Sequence, residues 1–227
     1  MKTSSRSLGR MIEEQVQRWQ LSKPVKPETP AASPVVTLSR EPGSGGRIVA
    51  QKVSQALGYD LFHQEMIHEM AKSARVSERL LATLDEKGLN TLENWISSLV
   101  DTRHLWPDKY LLHLMKVVGT IGRYGKAVVV GRGANFTLPP EQRFRVRIIA
   151  PRPWRIENVI KDFKAATDIA AKRVMQTESD RKSFVRKYFH SDIADPINYD
   201  MVINTETFGL DHAAESVCQA VKMKFAG

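Results

Sequence analysis

The sequence predicts an α/β fold built on a parallel sheet of about five strands. Two observations predict it. From Val35 onward, short apolar runs alternate with longer amphipathic stretches. A glycine cluster separates the first apolar run from the first helix. The composition agrees: 227 residues, 42% hydrophobic and 26% charged, describe a globular chain with a core and exclude a collagen, a disulfide mini-protein or a disordered chain. The single cysteine, Cys218, can close no internal disulfide, so a reducing cytoplasm is the expected setting. No apolar run approaches the ~18 residues of a spanning helix. The N-terminus also lacks the continuous apolar stretch of a secretory signal, so no membrane partner is expected.

Residues 1–34 stand apart from a domain over 35–227. Leu8, Met11, Ile12, Val16 and Trp19 recur at near-helical spacing and predict a short amphipathic helix, with a fraying polar tail as the alternative. Such a helix would dock on the domain or pair two copies into a homodimer. Four of the 11 prolines, Pro24, Pro27, Pro30 and Pro34, make the rest of this segment a linker. Val35 to Leu38 then reads as a strand entering the glycine cluster. A helix with Val49, Val53, Ala56 and Leu57 on one face follows and stops at Gly58. Tyr59 to Phe62 is a short second strand, and helical patterns occupy roughly 64–74, 77–87, 91–102 and 109–124. Trp106-Pro107 reads as a helix end, with Trp95, Trp106 and Trp154 as core or groove aromatics. Ala127 to Val130 is a strand ending in Gly131-Arg132-Gly133, and Arg143 to Ala150 is another. A helix with Ile156, Val159, Ile160 and Phe163 on its inner face leads to a basic helical region ending near His190. Met201 to Ile203 is the last strand, before a helix carrying Leu210, Ala214, Val217 and Val221 with Cys218 buried. Strands separated by helices pair in parallel through right-handed crossovers and bind ligands beyond their carboxyl ends.

The segment Ser39-Arg40-Glu41-Pro42-Gly43-Ser44-Gly45-Gly46-Arg47 joins the first strand to its helix. Glycines let successive N–H groups turn inward at the positive end of a helix, which makes a phosphate cradle; a tight turn with no ligand is the alternative. The dinucleotide fingerprint fails because Ile48 stands where its third glycine belongs. The template G-x-x-x-x-G-K-[ST] fits in part: Gly46 aligns, but Glu41 replaces the first glycine, Arg47 the lysine and Ile48 the hydroxyl that would bind Mg2+. Arg47 keeps a permanent charge and can grip phosphate bidentately, whereas Ile48 can ligate nothing. The metal ligands are therefore unassigned, with Ser44, a water or a carboxylate at another strand end as sources. The histidines lack H-E-x-x-H spacing, so no zinc site is expected.

The stretch VVTLSREPGSGGRIVAQKVSQALGYDLFHQEMI resembles the start of the cytidylate kinase-like family of P-loop proteins, as do VVVGRGANFTL and YDMVINT. The resemblance implies a three-layer nucleoside monophosphate kinase fold with a helical acceptor-binding region and a basic helical lid. It implies ATP as donor with Mg2+. Gly43, Ser44, Gly45, Gly46 and Arg47 would hold the triphosphate, and Arg132 would contact the acceptor. Arg173, Arg181 and Arg186 would be lid arginines. Arg40, His63 and Asn135 join Arg132 as candidate acceptor contacts, and Arg47, Arg132, Arg181 and Arg186 as the groups neutralising transferring charge. Two departures stand out. Where the resembled cytidylate kinases carry G-R-D, whose aspartate recognises the cytosine amino group, this chain has Gly133 and Asn135 nearby; and His63-Gln64-Glu65 replaces their D-T-G.

The expected function is an ATP-dependent phosphotransferase acting on a nucleoside monophosphate or related small acceptor. One alternative is a nucleotide-binding regulator that has lost catalysis, motivated by Glu41 and Ile48. Another is a nucleic-acid binder, because residues 143–190 hold 13 Lys/Arg against 5 Asp/Glu, +8 of the chain's net +9. Arg181, Lys182, Arg186 and Lys187 belong to that stretch, as a phosphate-gathering face or a solvated one. Asp180, Asp192 and Asp195 read as partners of these cations or as groups positioning an acceptor or metal.

Overall fold

In the computed structural model, which describes residues 7–21 and 34–225, the five apolar runs form one parallel sheet. The chain runs α1 (Leu8–Leu21), β1 (Val35–Arg40), α2 (Gly46–Leu57), β2 (Asp60–Phe62), α3 (Gln64–Lys72), α4 (Ala74–Leu81), α5 (Glu86–Thr102) and α6 (Lys109–Tyr124). It continues through β3 (Ala127–Val130), α7 (Ala134–Thr137), β4 (Arg143–Ile149), α8 (Arg152–Phe163), α9 (Thr167–Phe189), β5 (Met201–Asn204), α10 (Thr205–Phe208) and α11 (Leu210–Phe225). The strand order is β2-β3-β1-β4-β5, which puts β1 at the centre, with Val36 beside Val128 on one side and Phe144 on the other.

The β-branched residues of β1 and β3 are buried because helices cover both faces, as expected of a parallel sheet. On one face α2 and α11 supply Val49, Val53, Val217 and Val221. On the other, α3 to α6 supply Ile67, Met70, Leu80, Leu92, Leu114 and Met115. The result is three layers with the carboxyl end of β1, and therefore Arg40, opening at the middle of one edge. No described helix is long and apolar enough to cross a membrane.

The N-terminal amphipathic pattern is a helix, and its apolar face is used within the chain. Ile12, Val16 and Trp19 are buried in the core with Phe62, Met66 and Leu80. The Trp19 indole stacks on Tyr124, centroids 4.5 Å apart and planes 2° from parallel, while the Tyr124 hydroxyl donates to the Trp19 and Thr83 carbonyls. Arg79 donates to both carboxylate oxygens of Glu13, and Arg18 pairs with Asp60. A homodimer through this face would have to give up those contacts. The expected linker prolines Pro24, Pro27 and Pro30 lie outside the described residues.

Two aromatics depart from expectation. Trp106 is 89% exposed in the loop after α5, which already ends at Thr102. Phe163 closes α8 on the surface, where the Arg173 guanidinium lies 3.8 Å from its ring centroid. The buried contacts of α8 and α9 are instead Val159, Ala170 and Val174. The C-terminal half of α9 belongs to the main core through Val185 and Phe189, whose ring stacks on Phe136 at 5.1 Å. The basic helix is thus anchored at that end.

Candidate functional site

The turn from β1 to α2 is shaped by glycines and pinned from behind. Gly43 and Gly45 take left-handed φ values of 79° and 71°. A methyl group at Gly43 would strike the Arg155 carbonyl, and one at Gly45 the Leu210 side chain. The Asn158 amide donates to the Gly43 carbonyl at 2.9 Å, and the Thr205 hydroxyl to the Ser44 carbonyl at 2.7 Å. The N–H groups of Gly43, Gly45, Gly46 and Arg47 donate to nothing among the described residues. Unpaired amides at a helix N-terminus are an anion cradle.

Ser44 is not part of that cradle. Its N–H donates to the Glu41 carbonyl, and its fully buried hydroxyl donates to the Glu41 and Ile148 carbonyls. This corrects Ser44 as a donor-phosphate or metal contact: it knots the loop to β4. Glu41, at the position of the usual first glycine, turns away from the cradle. One of its oxygens accepts from the Ala150 N–H at 3.0 Å and lies 3.3 Å from Arg155 Nε. The buried Arg155 also donates to the Ala150 carbonyl and to Glu178. Arg147, likewise buried, donates to Ser39 Oγ at 2.7 Å and lies over the Tyr199 ring. These ion pairs hold the loop from beneath and leave its upper side to a ligand.

Arginines converge on that side. The Arg40 guanidinium donates to Gln64 Oε1 at 2.8 Å and passes so close to Gly131 that an added Cβ there would lie 2.6 Å from it. Arg181 reaches from α9 to donate to the Arg40 carbonyl at 2.7 Å. Burial first, then Arg181, Arg132 and Arg47, push Arg40 down to about 9 against the pull of Glu65. Burial, then Arg147, Arg132 and Arg155, push Arg181 down to about 10, again against Glu65. Like charges held together in a protein normally await a counter-ion. Burial, Arg47 and Arg40 also hold the His63 imidazole below its ordinary range. Burial acts to raise Glu65, but its own backbone N–H, Gln64, Arg47 and Arg40 bring it lower.

A cavity of about 430 Å³ opens beside the cradle, lined by Thr37 to Arg40, by Gln64, by Gly131, Arg132, Gly133 and Asn135, and by α9 residues from Thr177 to Val185. Gly131, Arg132 and Gly133 have left-handed φ values of 77°, 55° and 67° in succession. That turn lays the Arg132 guanidinium over the Phe184 ring at 5.4 Å.

Of the residues expected from sequence, Arg40, Arg132, Asn135 and Arg181 line this cavity, while Gly43 to Arg47 stand beside it with Arg47 exposed. His63 sits at the start of α3 next to Arg47 and Arg40. Arg186 does not join them: it is exposed and lines a separate groove with Lys182 and His190, because i, i+4 and i+8 share one face of α9 and Arg181 lies on another. Arg173 is likewise outside, on Phe163. Arg147 and Arg155 carry no expected role in the sequence, and Gln64 and Glu65 stand out there only as part of the His63-Gln64-Glu65 departure. One signal was available: arginine on a strand that should be covered on both faces is out of place unless it serves a site. Ile48 is 45% exposed and offers no ligand, and among the described residues no three His, Cys, Asp or Glu side chains gather to hold a metal.

Among curated proteins none matches this chain. Among solved structures, an uncharacterized protein from Eubacterium ventriosum ATCC 27560 superposes with a TM-score of 0.63 at 17% identity, covering 83% of this chain and 98% of that one. A shikimate kinase from Acinetobacter baumannii in complex with shikimate covers 85% of this chain and 95% of its own, but at a TM-score of 0.46 and 11% identity it bears on nothing here. The Cytidylate kinase-like family profile matches residues 35–207. The match runs from β1 into α10 and takes in the glycine turn, the arginines around it and the cavity, and the chain therefore belongs to the cytidylate kinase-like family.

Proposed function

We propose that this chain is an ATP-dependent phosphotransferase acting on a nucleoside monophosphate or related small acceptor. The observation that carries the reading is the set of unpaired amides at Gly43, Gly45, Gly46 and Arg47 beside guanidinium groups that crowd one another. Phosphoryl transfer asks the protein mainly to align donor and acceptor and to neutralise charge on the transferring oxygens. The amides and Arg47 hold the donor phosphates at the N-terminus of α2. Arg40, Arg132 and Arg181 face the acceptor and stabilise charge between the two, in a setting where preorganised donors act strongly. No general base is needed. Bound Mg2+ would add further neutralisation of the triphosphate. Such an ion keeps several waters and takes few protein ligands, and Glu65 is the carboxylate among these arginines that could provide one.

The test follows ADP release from ATP, Mg2+ and a panel of nucleoside monophosphates, with Arg47→Ala as comparison. Turnover with at least one acceptor, and about tenfold weaker ATP binding in the variant, support the reading; absence of ATP binding refutes it. A second reading, a regulator that binds ATP without turnover, is favoured by Ile48 and by the inward turn of Ser44. It becomes the better account if ATP binds and no acceptor is phosphorylated. The nucleic-acid reading weakens, because Arg145, Arg147, Arg152 and Arg155 are paired with Asp200, Glu41 and Glu178.

A further inference from the structure

We infer that the first turn of α6 is a clasp between two helical walls of the cavity, with Asp108 and Tyr110 as positioning residues that fix the gap between α3 and α9 into which the acceptor enters. The inference rests on the proposed function in taking the occupant to be the acceptor; the clasp itself stands on contacts within the chain.

Both walls use the same spacing. Gln64 and His68 stand at i and i+4 on α3, and Phe184 and Tyr188 at i and i+4 on α9, so each pair shares a helix face. The first member of each pair lines the cavity: Gln64 holds Arg40 there, and Phe184 lies under the Arg132 guanidinium. The second member is held by α6. His68 Nδ1 is 2.9 Å from the Tyr110 hydroxyl, and the Tyr188 hydroxyl donates to Asp108 Oδ2 at 3.0 Å, with Lys187 alongside both. Asp108 is the N-cap of α6, its other oxygen accepting from the Leu111 N–H at 2.8 Å, and Tyr110 lies in the first turn. The two attachments thus sit on one capped turn, and the rings beside them meet, Tyr110 and Tyr188 lying 6.2 Å apart.

The contacts run on to the groups in the cavity. The Tyr188 ring packs edge-on against Phe184 at 4.9 Å, so the ring beneath Arg132 is braced by the next turn of α9 and, through Asp108, by α6. Arg132 acts on the other attachment as well. Burial and then Arg132 lower the His68 imidazole against the pull of Glu69, and Arg132 draws down a Tyr110 phenol that burial raises. The anchor is firm, because Leu111, Leu114, Met115 and Val118 fix α6 in the main core. The N-terminal half of α9, by contrast, packs on α8 in the separate cluster of Val159, Ala170 and Val174. Side chains that face a ligand hold their geometry when a second layer of hydrogen bonds locks them, and a 1 Å misplacement can cost about a hundredfold in rate. The glycine turn is held separately, by Arg155, Asn158, Thr205 and Leu210. Loosening the clasp should therefore act on the acceptor and spare the triphosphate.

The test uses the full chain with Tyr110→Phe and Tyr188→Phe, each of which keeps its ring and loses one hydrogen bond of the clasp. Spin labels on Glu69→Cys in α3 and Ser183→Cys in α9, both exposed positions, in a Cys218→Ala background, report the gap by pulsed dipolar spectroscopy without ATP or acceptor. Initial rates with AMP, CMP, GMP and UMP then give KM for the acceptor and for ATP. The wild type should show one narrow distance and each variant a longer or broader one. The acceptor KM should rise about fivefold to tenfold, with the ATP KM changed less than about twofold. Asp108→Asn, which can still cap α6 and meet the Tyr188 hydroxyl, should stay near the wild type in both measurements, whereas Asp108→Ala should widen the gap as Tyr188→Phe does. An unchanged distance in both tyrosine variants overturns the inference, and so does a wider gap whose acceptor KM stays put or rises no more than the ATP KM. If no acceptor turns over, the phosphotransferase reading falls and the distances alone decide the clasp.

Discussion

Replacing Arg40 with methionine should make the ligand-free protein more stable while weakening its grip on phosphate. Burial first, and then the neighbouring Arg181, Arg132 and Arg47, push its guanidinium well down from the ordinary arginine range, to about 9. At about 1.4 kcal/mol per unit, that corresponds to roughly 5 kcal/mol against the charged form. Because the depressed group is a cation, the penalty is present in full at neutral pH and is relieved only as pH rises through the folded value. Partial solvent contact and the carboxylate of Glu65 reduce what a neutral substitute recovers, and the lost bond to Gln64 costs about 1 kcal/mol. Methionine retains most of the apolar stem. The net expectation for Arg40→Met is about 1–3 kcal/mol of added stability in anion-free buffer, or roughly 3–10 °C in Tm. Thermal and urea unfolding with and without inorganic phosphate measure both halves of the claim. The wild type should gain stability on adding phosphate, and the variant should gain much less. A variant less stable than wild type without anion, combined with an equal phosphate response, would refute the reasoning.

Gly43→Ala should cost about 2–4 kcal/mol in chemical denaturation, because it meets both a left-handed φ and the Arg155 carbonyl, whereas Gly58→Ala, with a similar φ and open space around it, should cost about 1 kcal/mol. Equal losses at the two sites would show that α8 does not press on the loop. His63 is held below its usual 6.5 by burial, Arg47 and Arg40, so the unfolded chain takes up the proton first. Its contribution is therefore complete above pH 6.5 and is lost as pH falls through that value toward the folded one; His63→Gln should flatten the Tm–pH curve there, and saturating ATP should oppose the loss. Trp19→Ala should lower stability by about 3–5 kcal/mol by emptying the stack on Tyr124 and Phe62; a loss below about 1 kcal/mol would mean that α1 is not part of the core.

The sheet was legible because β1 and β3 are apolar runs bounded by turn residues, as burial on both faces demands, and because β4 alternates arginines with Phe144, Val146 and Ile148 before turning wholly apolar. The helix at Leu8–Leu21 was legible from its period, but not what it covers: the sequence cannot show that Tyr124, more than a hundred residues away, receives Trp19. At the site, the glycines announced the turn, while their reasons lay elsewhere in the chain, in the Arg155 carbonyl and the Leu210 side chain. Ser44 read as a ligand because hydroxyls commonly are; its bond to Ile148 depends on strand neighbours that only the fold supplies. Arg186 was grouped with Arg181 as a lid arginine on the family resemblance, although five residues on a helix turn a side chain to a different face.

The most direct measurement is the response of the backbone amides of Gly43, Gly45, Gly46 and Arg47 to ATP in 1H–15N spectra of the full chain. Downfield shifts of these four, lost in Arg47→Ala, are the expected result, with the Ser44 amide changing least because it already donates to Glu41. Saturation with ATP that leaves all four unmoved would show that the triphosphate binds elsewhere and that the turn is only a turn.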